Sequence, residues 1–267
     1  MKESTRVREK LGGGYAGIHS VEVAAEIMLQ LAKFRHPVPL KTLSDLCQLS
    51  PSKVHRYLSS LIKLGLIFQG QKSANYTLGR NAVTLGLAAM QQNDQIYEVI
   101  EELPNFVRKI NRHVLLTVWS KAGPTIIKWE RSSDPLVVGL PLGQVLPMTH
   151  SAAGLVFSAF LDSELTRELI DKEQLSYRDG DKMSEKDLQS ILQAVRENRF
   201  AVSKGEVESD VTKIAMPVVD WEDNAVVVVG VVVPKHTDPH EISAILTELT
   251  KFCAQFSIHK PAFSYAK

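Results

Sequence analysis

Only two cysteines, Cys47 and Cys253, occur in 267 residues. That is too few for a disulfide framework, and they form no cluster of metal-ligand spacing. A reducing cytoplasm is the compartment this implies. Long apolar runs are also missing: the longest, Ala225–Val233, falls far short of the ~20 residues a membrane helix needs and reads as a buried strand. No membrane partner is expected. Residues 1–17 lack the apolar stretch of a signal peptide. Catalytic signatures are absent too. His150–Ser151 invites a hydrolase reading, but Ser151 has no Gly-x-Ser-x-Gly elbow and no acid placed to orient a base. His236 and His240 straddle Pro239, which spoils a shared helical face, and no third ligand accompanies them. These residues read as surface or capping groups, so neither catalytic residues nor a metal or cofactor is expected.

The net charge of +1 is uninformative by itself, but the charge is unevenly shared. Residues 1–80 hold twelve Lys and Arg against five Asp and Glu, and the remainder holds nineteen against twenty-five. A basic head on an acidic body points to a polyanion partner for the head. Within that head, Leu40–Leu66 has the clearest punctuation. Ser50 can cap a helix with its hydroxyl and Pro51 suits the first helical position. Val54, Leu58, Leu61 and Ile62 then form an apolar stripe, and Ser52, Lys53, His55, Arg56, Ser59 and Lys63 occupy the opposite face. A shorter segment with Leu43, Leu46 and Cys47 precedes a tight break at Gln48–Leu49. An earlier helix, capped by Ser20, carries Ala24, Ile27, Met28 and Leu31 until Pro37 ends it. Leu66–Gln69 and Asn75–Leu78 form a hairpin with a polar, basic tip that includes Lys72. The assembly predicts a winged helix-turn-helix over residues 18–79, with Ser52, Lys53, His55, Arg56, Ser59 and Lys72 as the DNA-contacting set. Residues 1–17 are expected to form a flexible basic arm.

Residues 80–94 read as a linker helix with Val83, Leu85, Leu87, Ala88 and Met90 on more than one side, a helix that something else must cover. Residues 95–267 read as an α+β domain. It contains an amphipathic helix bent at Pro104, strands near 114–119 and 125–129, helices near 149–161, 163–172 and 184–198, strands near 200–203, 213–219 and 225–233, and a last helix from about 239 to 257.

SVEVAAEIMLQLAKF, LSDLCQLSPSKVHRYLSSLIKLGLI and NYTLGRNAVTLG resemble the IclR family of bacterial transcription regulators. The resemblance continues through LPMTHSAAG and RFAVSKGEVESDVTKIAMPV and covers nearly the whole chain from about Ile18. Gln48 stands where the family usually has glycine in the turn, and Lys53 where it usually has threonine. The resemblance implies a GAF-like effector-binding domain, a double-stranded DNA operator, a homodimer or tetramer built partly by the linker helix, and a small organic acid as effector. Carried over position by position, Ala152 and Ala153 match a pair of backbone donors at the pocket floor, and Val138, Leu146 and Met148 fall in its apolar wall. Ser203, Lys213, Gly230 and Val232 replace an aspartate, a cysteine and two serines of glyoxylate-type members. That implies a roomier, less polar pocket for an aromatic or branched acid, with Lys213 as a candidate counter-charge. Two alternatives stay open. A purely structural C-terminal domain would show no melting shift with any metabolite, and an enzyme with an accessory DNA-binding domain would turn over a candidate acid.

Overall fold

In the computed structural model, residues 17–70, 73–133, 140–178, 182–204 and 210–258 are described. Residues 1–16 of the expected arm, the hairpin-tip Lys72 and Val138 lie outside these residues. The chain divides into two compact units, residues 1–89 and 90–267.

In the first unit, α1 (His19–Ala32), α2 (Leu40–Cys47) and α3 (Pro51–Lys63) are followed by β1 (Ile67–Gln69), β2 (Tyr76–Leu78) and α4 (Arg80–Gln91). Ile27 and Leu31 of α1, Leu43 of α2, and Val54, Leu58 and Leu61 of α3 share one core with Val38, Ile67 and Tyr76. The apolar stripe read from sequence is therefore the packed face. β1 and β2 pair antiparallel, Ile67 opposite Leu78, and Val38 bridges to Tyr76 beside them. Gly79 closes the unit because no side chain fits there: a Cβ would sit 2.2 Å from the Gly65 carbonyl oxygen.

Local details differ from expectation. α1 begins at His19 with Ile18 at the cap position, so Ser20 lies inside the helix, and it ends at Ala32, well before Pro37. Ser50 does occupy the cap position of α3, but its hydroxyl lies 3.3 Å from that of Ser52 and makes no cap hydrogen bond. Pro51 at the first helical position carries the start signal instead. Leu46 is 42% exposed, outside the core stripe. Gln48 holds the tight turn with φ 53°, the left-handed conformation that a glycine would adopt without strain.

In the second unit, α5 (Asp94–Ile110) leads into β3 (His113–Ser120) and β4 (Gly123–Glu130). Pro104 lies inside α5 without ending it. Then follow α6 (Ala152–Phe160), α7 (Ser163–Ser176), α8 (Glu185–Asn198), β5 (Ala201–Lys204), β6 (Val211–Val219), β7 (Ala225–Pro234) and α9 (Pro239–Phe256). The strands form one antiparallel sheet in the order β4-β3-β7-β6-β5. Alternation along the strands sorts side chains into two cores. Val114, Leu116, Val227, Val229 and Val231 pack against α5 and α9. Leu115, Ala215, Val228 and Val232 pack against α6 and the helices after it. Both faces of β7 are therefore covered, which explains its valine runs on either side of Gly230.

Candidate functional site

The recognition-type helix α3 presents its exposed side chains in two stripes. Ser52 and His55 are exposed and Ser59 half-buried; Lys53, Arg56 and Ser60 are exposed and Tyr57 half-buried. Ser59 donates to the His55 carbonyl at 2.8 Å and Ser60 to that of Arg56 at 3.3 Å, so these hydroxyls turn back on their own helix. Of the expected DNA-contacting residues, all but Lys72 are described, and all five lie on α3. β1 and β2 form a wing, with Phe68 58% exposed on it. α4 has no buried residue, and Val83, Leu85 and Leu87 stand 56–61% exposed.

In the second unit a cavity of about 670 Å³, its open mouth included, lies between the sheet and the segment leading into α6. Its floor comes from strand register. Leu115, Gly230 and Ala215 are opposite one another across β3, β7 and β6, and all three line the cavity. Two small residues in one cross-strand row leave a dent in the sheet; a Cβ at Gly230 would already press on Leu115 Cγ at 3.1 Å. Lys213 and Ser203, paired across β6 and β5, form the polar end of the floor.

The opposite wall is the segment Leu140–Ala153, of which Leu140, Gln144, Leu146, Pro147 and His150–Ala153 line the cavity. Its position is fixed at both ends. Toward β4, the Leu146 N–H donates to the Pro124 carbonyl at 2.8 Å and the Ile126 N–H to that of Gln144 at 3.0 Å. Toward α6, the Ser151 hydroxyl donates to the Pro147 carbonyl at 2.6 Å and accepts the Gly154 N–H at 2.9 Å, capping the helix. Ala152 and Ala153 occupy the first two helical positions, whose N–H groups have no intrahelical acceptor. A helix start of this kind attracts a carboxylate.

α7 holds the same segment from behind. The Glu173 carboxylate accepts the Met148 N–H, the Thr149 N–H at 2.9 Å and the Thr149 hydroxyl at 2.6 Å. Gln174 donates to the Thr149 hydroxyl at 3.1 Å and accepts the Met183 N–H at 3.0 Å. His150 lies against the Tyr177 ring, 4.5 Å between centroids, with its Nδ1 2.8 Å from the Thr149 hydroxyl.

Six of the nine expected effector positions thus meet at one cavity: Leu146, Ala152, Ala153, Ser203, Lys213 and Gly230. Two do not. Met148 and Val232 are 3% and 0% exposed and belong to the core beside the cavity. Val232 has the right strand parity but is fully buried in that core. His150 and Gln144 line the wall and were not expected there; their signal was proximity in sequence to Leu146 and Ala152. Glu173 had no sequence signal, being brought in by α7.

Comparison with known proteins agrees with this layout. The model of the IclR helix-turn-helix domain matches residues 20–70, and that of the bacterial transcriptional regulator IclR C-terminal region matches residues 88–257. The chain is 24% identical over 218 residues to the DNA-binding transcriptional repressor YiaJ of Escherichia coli (strain K12), covering 77% of this chain and 74% of that one. Among solved structures, HmgR of Pseudomonas aeruginosa superposes with a TM-score of 0.67 at 28% identity, covering 90% of this chain and 100% of the other. An IclR homolog from Microbacterium hydrocarbonoxydans, complexed with 4-hydroxybenzoate, gives a TM-score of 0.68 at 15% identity over 89% and 97% of the two chains.

Proposed function

The chain belongs to the IclR family of bacterial transcriptional regulators, and from that premise we propose that an organic acid with an apolar body, held in the cavity of the second unit, controls its grip on an operator. DNA binding and an effector-binding domain come with the family. The acid is our reading of the cavity itself.

The observation that carries it is the pairing of two features across one cavity. The α6 start and Lys213 offer donors and positive charge for a carboxylate, and the Leu115–Gly230–Ala215 floor with Leu140 and Leu146 offers an apolar bed. The 4-hydroxybenzoate in the Microbacterium homolog is a ligand of this chemistry in a protein of the same fold. Binding rather than hydrolysis suits Ser151, whose hydroxyl is engaged on both sides as a helix cap. No helix among the described residues is long and apolar enough to cross a membrane, and with DNA as partner the site of action is the cytoplasm.

Two copies of the chain acting on a palindromic operator complete the reading. α4 exposes Val83, Leu85 and Leu87 with no buried residue of its own, and a single winged helix reads few base pairs. The ligand must favour one arrangement of the dimer over another, since equal affinity for both would shift nothing.

The test is calorimetry and melting with benzoate, 4-hydroxybenzoate, glyoxylate and the uncharged 4-methylphenol, followed by DNA release on an operator selected from genomic fragments. Aromatic acids should raise the melting temperature and alter DNA affinity, with glyoxylate and 4-methylphenol weaker. Ala152→Leu should fill the cavity and abolish the response while DNA binding persists. An Ala152→Leu protein with unchanged ligand affinity and DNA response would place the effector elsewhere. A monomer by sedimentation, on and off DNA, would remove the dimer.

A further inference from the structure

The surface of α3 divides into stripes with different chemistry. Val54, Leu58 and Leu61 face the core. Ser52, His55 and Ser59 form a second stripe that carries hydroxyls and one imidazole, with Lys63 at its far end in the last turn. Lys53, Arg56, Tyr57 and Ser60 follow the i, i+3, i+4, i+7 spacing of a third. This third stripe borders a concavity whose far side is Ser20, in the first turn of α1. Two cations and three hydroxyls thus line one surface depression of about 550 Å³, its mouth included, and among the described residues no carboxylate lines it.

The neighbouring groups favour an anion further. α1 is fourteen residues long and starts without a side-chain cap, so the positive end of its dipole sits at the depression's edge. Its first-turn carboxylate, Glu22, lies 3.6 Å from His19 and does not line the depression. Arg56 brings a planar fork that matches two phosphate oxygens, and Lys53 a compact charge. Tyr57 packs against the core while it lines the depression, which steadies one wall.

We infer that the concavity between the start of α1 and the third stripe of α3 seats a backbone phosphodiester of the bound DNA. Lys53 and Arg56 neutralise it, and Ser20 and Tyr57 supply hydroxyl contacts. The Ser52–His55–Ser59 stripe is left to read base edges. The inference rests on the DNA-binding reading and deepens it, since it assigns Arg56 to positioning rather than to sequence discrimination. Phosphate contacts fix register and orientation, and groove contacts carry the sequence information.

The division is testable on the full-length protein with an operator duplex recovered by genomic selection and a scrambled duplex of equal length. Lys53→Gln and Arg56→Gln should weaken both duplexes by the same factor. Each should also reduce the slope of log affinity against log salt by about 0.9 for a lost phosphate contact. Ser52→Ala and His55→Ala should erase the preference for the operator at an unchanged slope. A scan of single methylphosphonate linkages along the operator should reveal a position that weakens the unmutated protein and is silent in Arg56→Gln. Loss of operator preference at unchanged slope in Arg56→Gln would make Arg56 a base reader and overturn the assignment, as would a scan with no silent position. Failure of the unmutated protein to bind either duplex would instead sink the DNA-binding reading on which the assignment stands.

Discussion

Replacing Gly154 by alanine sets two rules against each other. In an ordinary helix the change would stabilise, because alanine is favoured over glycine by about 0.8–1.0 kcal/mol. In α6 an alanine Cβ would lie 2.1 Å from the Pro147 carbonyl oxygen and 2.4 Å from that of Met148, both backbone atoms. Relief requires the segment before α6 to retreat by about 1 Å, against the packing density of a buried core. Retreat also strains the Ser151–Pro147 hydrogen bond and the Glu173 bonds to Met148 and Thr149. Overpacking costs about 1–3 kcal/mol, and a buried polar group stripped of its partner costs about 1–3 kcal/mol more. Net of the propensity gain, a loss of roughly 1–5 kcal/mol is expected, or roughly 2–20 °C in melting temperature for a unit of this size. The assay is selective because all three tryptophans, Trp119, Trp129 and Trp221, lie in the second unit. Their fluorescence should report earlier urea unfolding while affinity for a non-specific duplex stays put. An equally or more stable Gly154→Ala protein would refute the close-approach argument.

Gln48→Gly should stabilise the first unit by about 0.5–1 kcal/mol, since glycine relieves the φ of 53° at some cost in unfolded-chain entropy; slower hydrogen exchange in α2 and α3 would show it. Val232→Ser should destabilise the second unit by about 1–3 kcal/mol by placing a hydroxyl in a fully buried position, again read by tryptophan fluorescence, whereas a purely ligand-affinity effect would return Val232 to the cavity. Burial pushes the Cys253 thiol far above its ordinary range, and partial burial followed by the nearby Glu26 raises Cys47 more modestly. A raised thiol pKa leaves less thiolate at a given pH, so native protein near pH 8 should alkylate slowly at Cys47 alone, faster as pH rises, with both thiols reacting in denaturant.

Much of the fold was legible because its signals are local. Proline at the first turn of α3, the stripe Val54–Leu58–Leu61 and the valine run of β7 each fix an element without reference to the rest of the chain. Helix ends were less legible where competing caps are close: Ser20 lost to a cap two residues earlier, and Ser50 kept its position without its hydrogen bond. At the cavity, the family resemblance supplied Ala152, Lys213 and Gly230, but a position carried over does not say whether anything covers it. Val232 shares the face of Gly230 and is buried all the same.

What lay beyond the sequence is the support of the site. Glu173 and Gln174 hold Met148, Thr149 and Met183 across more than twenty and about nine residues of chain, and no periodicity links them. That support bears on how the cavity works. The wall segment carries His150 and the start of α6, so a ligand pressing on it acts directly on groups bonded to α7. On the proposed reading, a wall anchored at β4, at the α6 cap and at Glu173 holds its donors in place for a carboxylate and limits the ordering that binding costs. The same anchoring means that displacement of the wall moves α7 with it. On the proposed reading, specificity for the acid and sensitivity to its presence draw on one set of hydrogen bonds, and weakening them should lower ligand affinity while the DNA-binding unit, whose described core residues form a separate cluster, stays folded.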